Sequence, residues 1–343
     1  MFKKRMAMGI LAGLLACSFI AGCGGDKGTS EPPKPKPIAA DLKDLPNKDV
    51  KVGINTFKLF TLKNNSNLHL QNTYSKGMRV AVVGRDMIYA NVKDRLVQMQ
   101  WDKDGLRMLD NNVDALSGNA KISSDGTRGI FYTNKRMRLN YFDSETKRIE
   151  EAQGRFNNLV VIPKGNADKA LIWMNQGEMR KVDLRNGYRV GKDLGTVRKE
   201  SRSRDATDKD KINIPQSVVA DRNGDFYVGG NARIGTQDVG LVSVYDFNGK
   251  QKRVIGKEKR EDSNAINSLT DIALTDEYLV VSDSSVDKQQ LQIYRKNTGT
   301  LVGTVSYKDL TDNKETSIGA CVNLANMPDN RVLVALSNDR KKY

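Results

Sequence analysis

A strand–turn–strand unit that recurs along the chain is the feature that most restricts its fold. In the clearest copy, β-rich runs at 217–221 and 225–229 flank the turn Arg222-Asn223-Gly224, and runs at 241–246 and 251–255 flank a turn at Asn248-Gly249. Asn-Gly between alternating apolar residues is the strongest short signal for a β-hairpin. The unit is therefore predicted to form a four-stranded antiparallel sheet.

Further copies of this unit follow at a spacing of roughly 40–60 residues. A second clear copy has strands at 271–274, 278–282, 291–294 and 301–305, and weaker copies begin at 79–83, 121–124 and 159–162. Four-stranded repeats of this length are typical of β-propeller blades. The predicted blades are 76–112, 113–154, 155–195, 196–256 and 257–306.

The two ends of the repeat region each supply half of a further blade. The C-terminal half is expected at 320–324 and 331–336, and the N-terminal half at 57–63 and 67–73. Pairing these halves would close the ring and remove open sheet edges. The predicted fold is an all-β, six-bladed propeller over residues 49–343, closed by its N- and C-terminal strands. A seven-bladed ring is the alternative if one blade has been merged with a neighbour.

The stretches 215–255 and 270–305 resemble the NHL or YVTN-like class of bacterial β-propellers. The resemblance lies in the order of strands and turns and extends weakly over most of residues 50–343. It implies a propeller domain, but propellers of this class include binding scaffolds, lactonases and lyases. The resemblance therefore does not select an activity, because one fold hosts many functions.

The first 22 residues have the organisation of an export signal. Lys3, Lys4 and Arg5 form a positive head, and an uncharged apolar run follows to Gly22. That run is shorter than a transmembrane helix, which needs about 20 apolar residues to cross the bilayer. Its end, Ile20-Ala21-Gly22-Cys23, resembles a bacterial lipobox. The resemblance implies cleavage before Cys23 and a diacylglycerol on the Cys23 sulfur; an ordinary secretory signal with an incidental cysteine is the alternative.

Residues 23–48 are predicted to be a flexible tether that starts at the lipidated cysteine. Five of the eight prolines of the chain lie here, among lysines, glycines and few apolar residues. Such a segment buries too little apolar surface to fold, and it holds the domain away from the lipid. The prediction is a lipid-anchored protein of the cell envelope, exposed outside the cytoplasm, with three parts: leader 1–22, tether 23–48 and propeller 49–343.

The chain is strongly basic, with a formal net charge of +15. Loss of Lys3, Lys4 and Arg5 with the leader would bring the formal charge from +15 to +12. A basic surface attracts anionic lipid, cell-wall polymer, nucleic acid or acidic protein. The export signal makes nucleic acid the least expected of these partners.

Residues that usually carry catalysis or bind metals are scarce. The chain has one histidine, His69, and three cysteines, of which Cys17 lies in the leader and Cys23 is the lipid site. Cys321 is left without a partner for an internal disulfide. No zinc, phosphate-loop or dinucleotide motif is present. A protein without a cofactor and without catalytic function is favoured, although an enzyme is not excluded.

Two groups of residues are candidates for binding. The first strands of the blades are expected to begin near Met78, Asn119, Asn158, Gln216, Asp271 and Ala320. This places the polar side chains of Asn119, Asn158, Gln216 and Asp271 at the mouth of the central channel. A single carboxylate there is less negative charge than a hard cation generally requires.

The second group lies on long connections, at 196–211, 231–239 and 257–267, which should open on one face of the disc. The first carries Arg198, Lys199, Arg202 and Arg204, and the second carries Arg233. Arginine forks suit carboxylate or phosphate groups. A solvated loop that binds nothing is the alternative.

Two functions are consistent with these observations. The first is a membrane-anchored scaffold whose basic propeller face binds an envelope protein or an anionic polymer. The alternative is a metal-dependent hydrolase or lactonase that acts at the channel mouth with a divalent cation.

Overall fold

The computed structural model describes a chain made of β-strands. The described residues are 6–12, 47–62, 79–102, 105–116, 120–126, 128–155, 158–162, 170–175, 178–183, 189–196, 212, 214–234, 237–256, 262–310, 322–327 and 330–336. They contain one short 3-10 helix, Tyr307–Leu310, and no α-helix. Within this part of the chain, no helix is long and apolar enough to span a membrane.

Three strands precede the first repeat unit, and five four-stranded sheets follow. The N-terminal strands are β1 (Met6–Ala12), β2 (Asn47–Val52) and β3 (Asn55–Leu62). The first two sheets are β4 (Val80–Val83), β5 (Met87–Val92), β6 (Arg95–Asp102) and β7 (Gly105–Ala115), then β8 (Ile122–Ser124), β9 (Gly129–Thr133), β10 (Arg138–Asp143) and β11 (Ile149–Arg155).

The remaining sheets continue the same order. The third has β12 (Asn158–Ile162), β13 (Ala170–Asn175), β14 (Glu178–Asp183) and β15 (Arg189–Thr196). The fourth has β16 (Ile214–Ala220), β17 (Phe226–Ile234), β18 (Gln237–Tyr245) and β19 (Gln251–Ile255). The fifth has β20 (Leu269–Leu274), β21 (Tyr278–Asp283), β22 (Gln290–Arg295) and β23 (Leu301–Ser306), and the chain ends with β24 (Val322–Met327) and β25 (Arg331–Leu336).

Each four-stranded sheet is an antiparallel meander with its first strand at one edge. These first strands contact one another in the order β4, β8, β12, β16, β20, β24 and back to β4. The sheets therefore radiate from a common axis, which is the architecture of a β-propeller. The predicted all-β propeller is confirmed. Four sheets are regular blades, and they start with β4, β8, β16 and β20. The sheet that starts with β12 has the same strand order, and the structure describes mainly its backbone.

The sheet that joins the two chain ends differs from the prediction. Its order is β2-β3-β1-β25-β24, so strands from both ends share a sheet but β3 and β25 do not pair directly. Instead β1, from the predicted leader, runs parallel to both of them. Its backbone provides partners for N–H and C=O groups on two edges that would otherwise be unpaired. The predicted strand at 67–73 lies outside the described residues.

Aspartate side chains explain the repeated turn signals. Asp221 Oδ1 accepts hydrogen bonds from the backbone N–H groups of Asn223 and Asp225, at 2.8 and 3.1 Å. Asp246 Oδ1 binds the N–H groups of Asn248 and Lys250 in the same way. An aspartate that binds its own backbone two residues on stabilises a tight turn. The two hairpins predicted at 222–224 and 247–250 are confirmed.

The hydrophobic core lies between neighbouring sheets rather than at one centre. Tyr89 of β5 packs with Tyr132 and Phe142 between the first two blades. Tyr227 of β17 and Tyr294 of β22 belong to the layer between the fourth and fifth. Because each layer needs only a few large side chains, a chain with 38% hydrophobic residues fills five such clusters.

One predicted loop is wrong. Residues 231–239, expected as a long connection, are largely strand, because β17 continues to Ile234 and β18 begins at Gln237. The reason is a contact with the next blade. Asn231 Oδ1 accepts the N–H of Leu269 at 3.1 Å, and its Nδ2 donates to the carbonyl of Leu269 at 3.5 Å. These bonds hold the hairpin extended.

Candidate functional site

The upper face is defined here as the face on which the first strands of the blades begin, and the lower face as the opposite one. At the upper mouth of the channel, Arg79 lies just before β4. Its Nη1 is 3.4 Å from Asp271 Oδ2 and 3.5 Å from the carbonyl oxygen of Thr270. Since β24 lies between β4 and β20, this ion pair reaches across one sheet of the ring.

Asp271 is one of the predicted channel-mouth residues, and it lies there, 6% exposed. Its Oδ2 also accepts the N–H of Leu324 at 2.9 Å, while its Oδ1 accepts the N–H of Ile272 at 3.0 Å. Both carboxylate oxygens are therefore engaged by the protein. The residue joins β4, β20 and β24 and stabilises the ring at its junction with the C-terminal sheet.

Gln216, a second predicted mouth residue, also lies at the channel. Its backbone carbonyl accepts a hydrogen bond of 2.7 Å from Lys121 Nζ, which reaches across β12. Asn158 begins β12, where its backbone pairs with Met174. Asn119 lies outside the described residues. The structure thus brings Gln216 and Asp271 to the channel together with two cations, Arg79 and Lys121, that were not predicted.

The channel encloses a cavity of about 530 Å³. Its walls are apolar and come from the first strands; they include Val80, Val82, Ile122, Val218, Ile272 and Leu324. The lower mouth carries the carboxylates Asp125, Asp221 and Asp276. The cavity is therefore a largely apolar tube. Its upper mouth has two cations and one carboxylate, and its lower mouth has three carboxylates and two cations, Arg222 and Lys296.

Two of the lower carboxylates already have structural partners. Asp221 Oδ2 lies 3.4 Å from Lys296 Nζ, and the Asp221 side chain is 4% exposed. Asp125 accepts the N–H groups of Arg128 and Gly129 and the hydroxyl of Tyr141 at 3.0 Å. Among the described residues, no group of three His, Cys, Asp or Glu side chains could hold a metal ion. The hydrolase alternative gains no support from this geometry.

A cluster of exposed cations, which was not predicted from the sequence, lies on the upper face. It consists of Lys93 and Arg95 on the β5–β6 turn and Lys135 and Arg136 on the β9–β10 turn. We call these four residues the basic turn cluster. Its sequence signal was short, Lys-Asp-Arg and Lys-Arg, and it was hidden because charged residues are common in turns.

The two turns of the cluster are rigid and joined. Lys93 and Asp94 both have positive φ, at 51° and 60°, as a two-residue turn of mirror-image type requires. In the second turn, Asn134 Oδ1 accepts the N–H groups of Arg136 and Arg138 at 2.9 and 3.1 Å. The segment between the blades links the turns, since Leu116 donates its N–H to the carbonyl of Asp94 at 2.8 Å.

Two carboxylates, Glu151 and Asp94, adjoin the cluster. A hydrogen bond from Arg138 lowers the pKa of Glu151, and the nearby charge of Arg136 lowers it further. Glu151 is therefore ionised at neutral pH and offsets part of the positive charge of the second turn. The first turn has a half-buried carboxyl, Asp94, between its two cations.

Most of the predicted basic residues are not described. Arg198, Lys199, Arg202 and Arg204 lie outside the described residues, as does the predicted lipid site Cys23. Arg233 is placed by its backbone only, which pairs with Asp238 inside the β17–β18 hairpin.

Comparisons with known proteins were made for the whole chain. No protein-family model matches it, and no curated protein matches it significantly. Among solved structures it is similar to the WD40 β-propeller domain of Doa1, at 11% identity with a TM-score of 0.47, over 87% of this chain and 98% of that one. It is also similar to a chain of the mitotic checkpoint complex, at 10% identity and a TM-score of 0.44, over 81% and 86% of the two chains. These values carry no functional argument, and the propeller assignment rests on the strand topology.

Proposed function

We propose that the protein is a lipid-anchored scaffold of the bacterial cell envelope, built on a closed ring of six blades of the NHL or YVTN-like class. The upper face would bind an envelope protein or an anionic polymer. The observation that supports this most directly is the basic turn cluster, four exposed cations on rigid turns of the upper face. Functional residues are commonly presented in this way by loops on a rigid framework.

The contacts of the first strands support a ring of six. Six strands contact in a closed order, and the sheet of β24 and β25 accounts for the sixth position. A closed ring holds its turns at fixed separations. Side chains on such turns lose little conformational freedom on binding, so more of the interaction energy appears as affinity.

The upper-face proposal is tested with two matched variants of the full chain. In the upper variant, the basic turn cluster is neutralised as K93Q, R95Q, K135Q and R136Q. In the lower variant, the exposed cations of the opposite face are neutralised as K51Q, R148Q, R222Q and K250Q. Both lose two lysines and two arginines, so their net charges are equal.

Pull-downs from envelope extract compare these variants with the unmodified chain. We expect the upper variant to lose most of the captured material and the lower variant to retain it, because surface cations act over about a Debye length. Equal capture by both variants would overturn the assignment of the upper face. A further variant, R198A with R202A and R204A, shows whether the 196–211 connection contributes to the same surface.

The anchor is tested separately by intact-mass spectrometry of the protein isolated from membranes. We expect the chain to start at Cys23 and to carry a diacylglycerol there, with at least one more acyl chain for stable attachment. The variant C23A should keep the leader and lack the lipid. A native chain that still contains residues 1–22, with β1 in place between β3 and β25, would contradict the lipoprotein proposal.

A further inference from the structure

In each of the first two blades, the upper face carries cations at the start of the first strand and at the turn between the second and third strands. In the first blade, the carbonyl of Arg79 accepts the N–H of Asn91 at 3.0 Å, and Lys93 follows two residues later. In the second blade, Lys121 precedes Ile122, which pairs with Tyr132, and Lys135 follows three residues after that. Each of these two blades therefore has one cation at the channel mouth and two at the turn between its second and third strands.

The spacing of these cations follows from sheet geometry. Neighbouring strands lie about 4.8 Å apart, so the first strand and the turn between the second and third strands are separated by roughly 5–10 Å. Two such rows stand side by side on neighbouring blades. They are joined by the bridge between Leu116 and Asn134 and by the hydrogen bond from the Lys135 N–H to the Ala115 carbonyl. The result is a narrow positive track that runs from the turns to the channel mouth.

The described part of the upper face lacks the apolar anchors that a folded protein partner would use. Among the described residues, the large hydrophobic side chains exposed on this face are Met137, at 39%, and Val286, at 90%. They lie on the turns of two blades that are not neighbours. Protein interfaces are dominated by clustered aromatic and apolar residues with arginine among them. A flexible polyanion needs charge along a path and no apolar centre.

We propose that this track binds a linear polymer that carries a phosphate group in each repeat. This deepens the proposed function and rests on it, since it names the chemistry of the partner at the same face. Arg95 and Arg136 can each bind a phosphate through two parallel N–H donors. Lys93 and Lys135 add a point charge to each turn. The mouth cations Arg79 and Lys121 extend the track inward, while their contacts with Asp271 and Gln216 hold them in place.

The experiment measures binding of inorganic polyphosphate to the full chain in neutral detergent, over a range of salt concentrations. The upper and lower variants defined above are compared with the unmodified chain. Arg79 and Lys121 are left unchanged because they stabilise the ring. Orthophosphate, poly-glutamate and detergent micelles that contain phosphatidylglycerol are measured in parallel as alternative anions.

We expect polyphosphate to bind the unmodified chain and the lower variant alike, and orthophosphate to compete poorly. Each phosphate neutralised on a flexible strand contributes about 0.7 to the slope of log K against log salt. The upper variant should therefore bind about tenfold more weakly or worse and lose up to about 3 from that slope. Circular dichroism and the unfolding temperature should be unchanged in both variants.

Three results would overturn the inference. One is equal polyphosphate binding by the upper and lower variants. Another is tighter binding of phosphatidylglycerol micelles that the upper variant loses, which would assign the face to a lipid surface. The third is equal or tighter binding of poly-glutamate, which would assign it to an acidic protein. If polyphosphate fails to bind while envelope capture still depends on the cluster, this inference falls and the proposed scaffold function stands.

Discussion

The upper and lower faces of the disc use their charges in different ways. On the lower face, cations of the turns lie close to carboxylates, as in Lys296 with Asp221, Arg128 with Asp143 at 2.6 Å, and Lys252 with Asp225 at 2.5 Å. On the upper face, the four cations of the basic turn cluster are exposed and adjoin two carboxylates, Asp94 and Glu151. Charges that are neutralised by neighbours stabilise turns, whereas an excess of one sign creates a field that reaches a partner. Under the proposed function, the lower face serves the fold and the upper face serves binding.

The largest effect should come from the one carboxylate of the upper mouth that has a structural role. D271A removes the partner of Arg79 and the acceptor for the N–H of Leu324. Breaking a buried ion pair from one side costs about 3–5 kcal/mol, and urea unfolding should show a loss of this size. The control is D276A, at a side chain that is 56% exposed, which should change the unfolding free energy little. A D271A chain as stable as D276A would contradict the structural role.

A smaller effect is expected on the lower face for K296M. Asp221 would lose its cation but keep the two backbone N–H donors of its turn, so we expect a loss of about 1–3 kcal/mol by the same measurement. The control K250M alters an exposed lysine of the same face. If K296M and K250M unfold at the same urea concentration, the paired charges do not stabilise the lower face as the comparison requires.

Alkaline pH tests the hydrophobic layers between neighbouring blades, which contain Tyr227 and Tyr245. Burial raises the pKa of Tyr227 and of Tyr245 to about 12 each, from a usual value of 10. The unfolded chain loses these protons first, so stability is complete below pH 10 and falls as the pH rises from about 10 to 12.

The variant Y245F should make that fall shallower by one proton, or about 1.4 kcal/mol per pH unit. The measurement is the free energy of unfolding at several alkaline pH values, with Y227F as a second and separate reduction. A slope that is the same with and without Tyr245 would show that its phenol is not protected in the folded state.

The smallest effect on stability should come from the four-residue variants of each face. Substitution of exposed cations usually changes the unfolding free energy by less than about 0.5 kcal/mol each. We expect the upper and lower variants to unfold at nearly the same temperature in calorimetry, although only the upper variant loses binding. A marked stability loss in the upper variant would contradict the contrast between the two faces, because the cations of the upper face would then also stabilise the fold.

The sequence predicted the strands of the blades well because their signals are local. Asn223-Gly224 and Asn248-Gly249 dictate hairpins whose register follows from the turn itself. The same local reasoning failed at 231–239, where Asn231 bonds to Leu269 in the next blade and keeps the hairpin extended. It also failed for the closing sheet, where β1 lies between strands that were expected to pair.

In the candidate site, too, local features were predictable from the sequence and contacts between distant residues were not. Asp271 and Gln216 were placed at the channel because the start of a strand can be read from the pattern of the repeat. Their roles were not predictable, since Arg79 binds the carboxylate of Asp271 and the carbonyl of Thr270, and the second bond joins residues 191 positions apart. The basic turn cluster was missed because neither of its turns is notable alone; only the packing of two blades brings them together.

By itself the sequence determined a chain of repeated antiparallel hairpins, a basic charge balance and the motif around Cys23. These properties depend on neighbours within a few residues and need no knowledge of the fold. The tertiary structure decided which strands meet at the chain ends, which aspartates stabilise turns and which cations share one face. Those outcomes depend on contacts between residues far apart in the chain, whose geometry is fixed only when the sheets pack around a common axis.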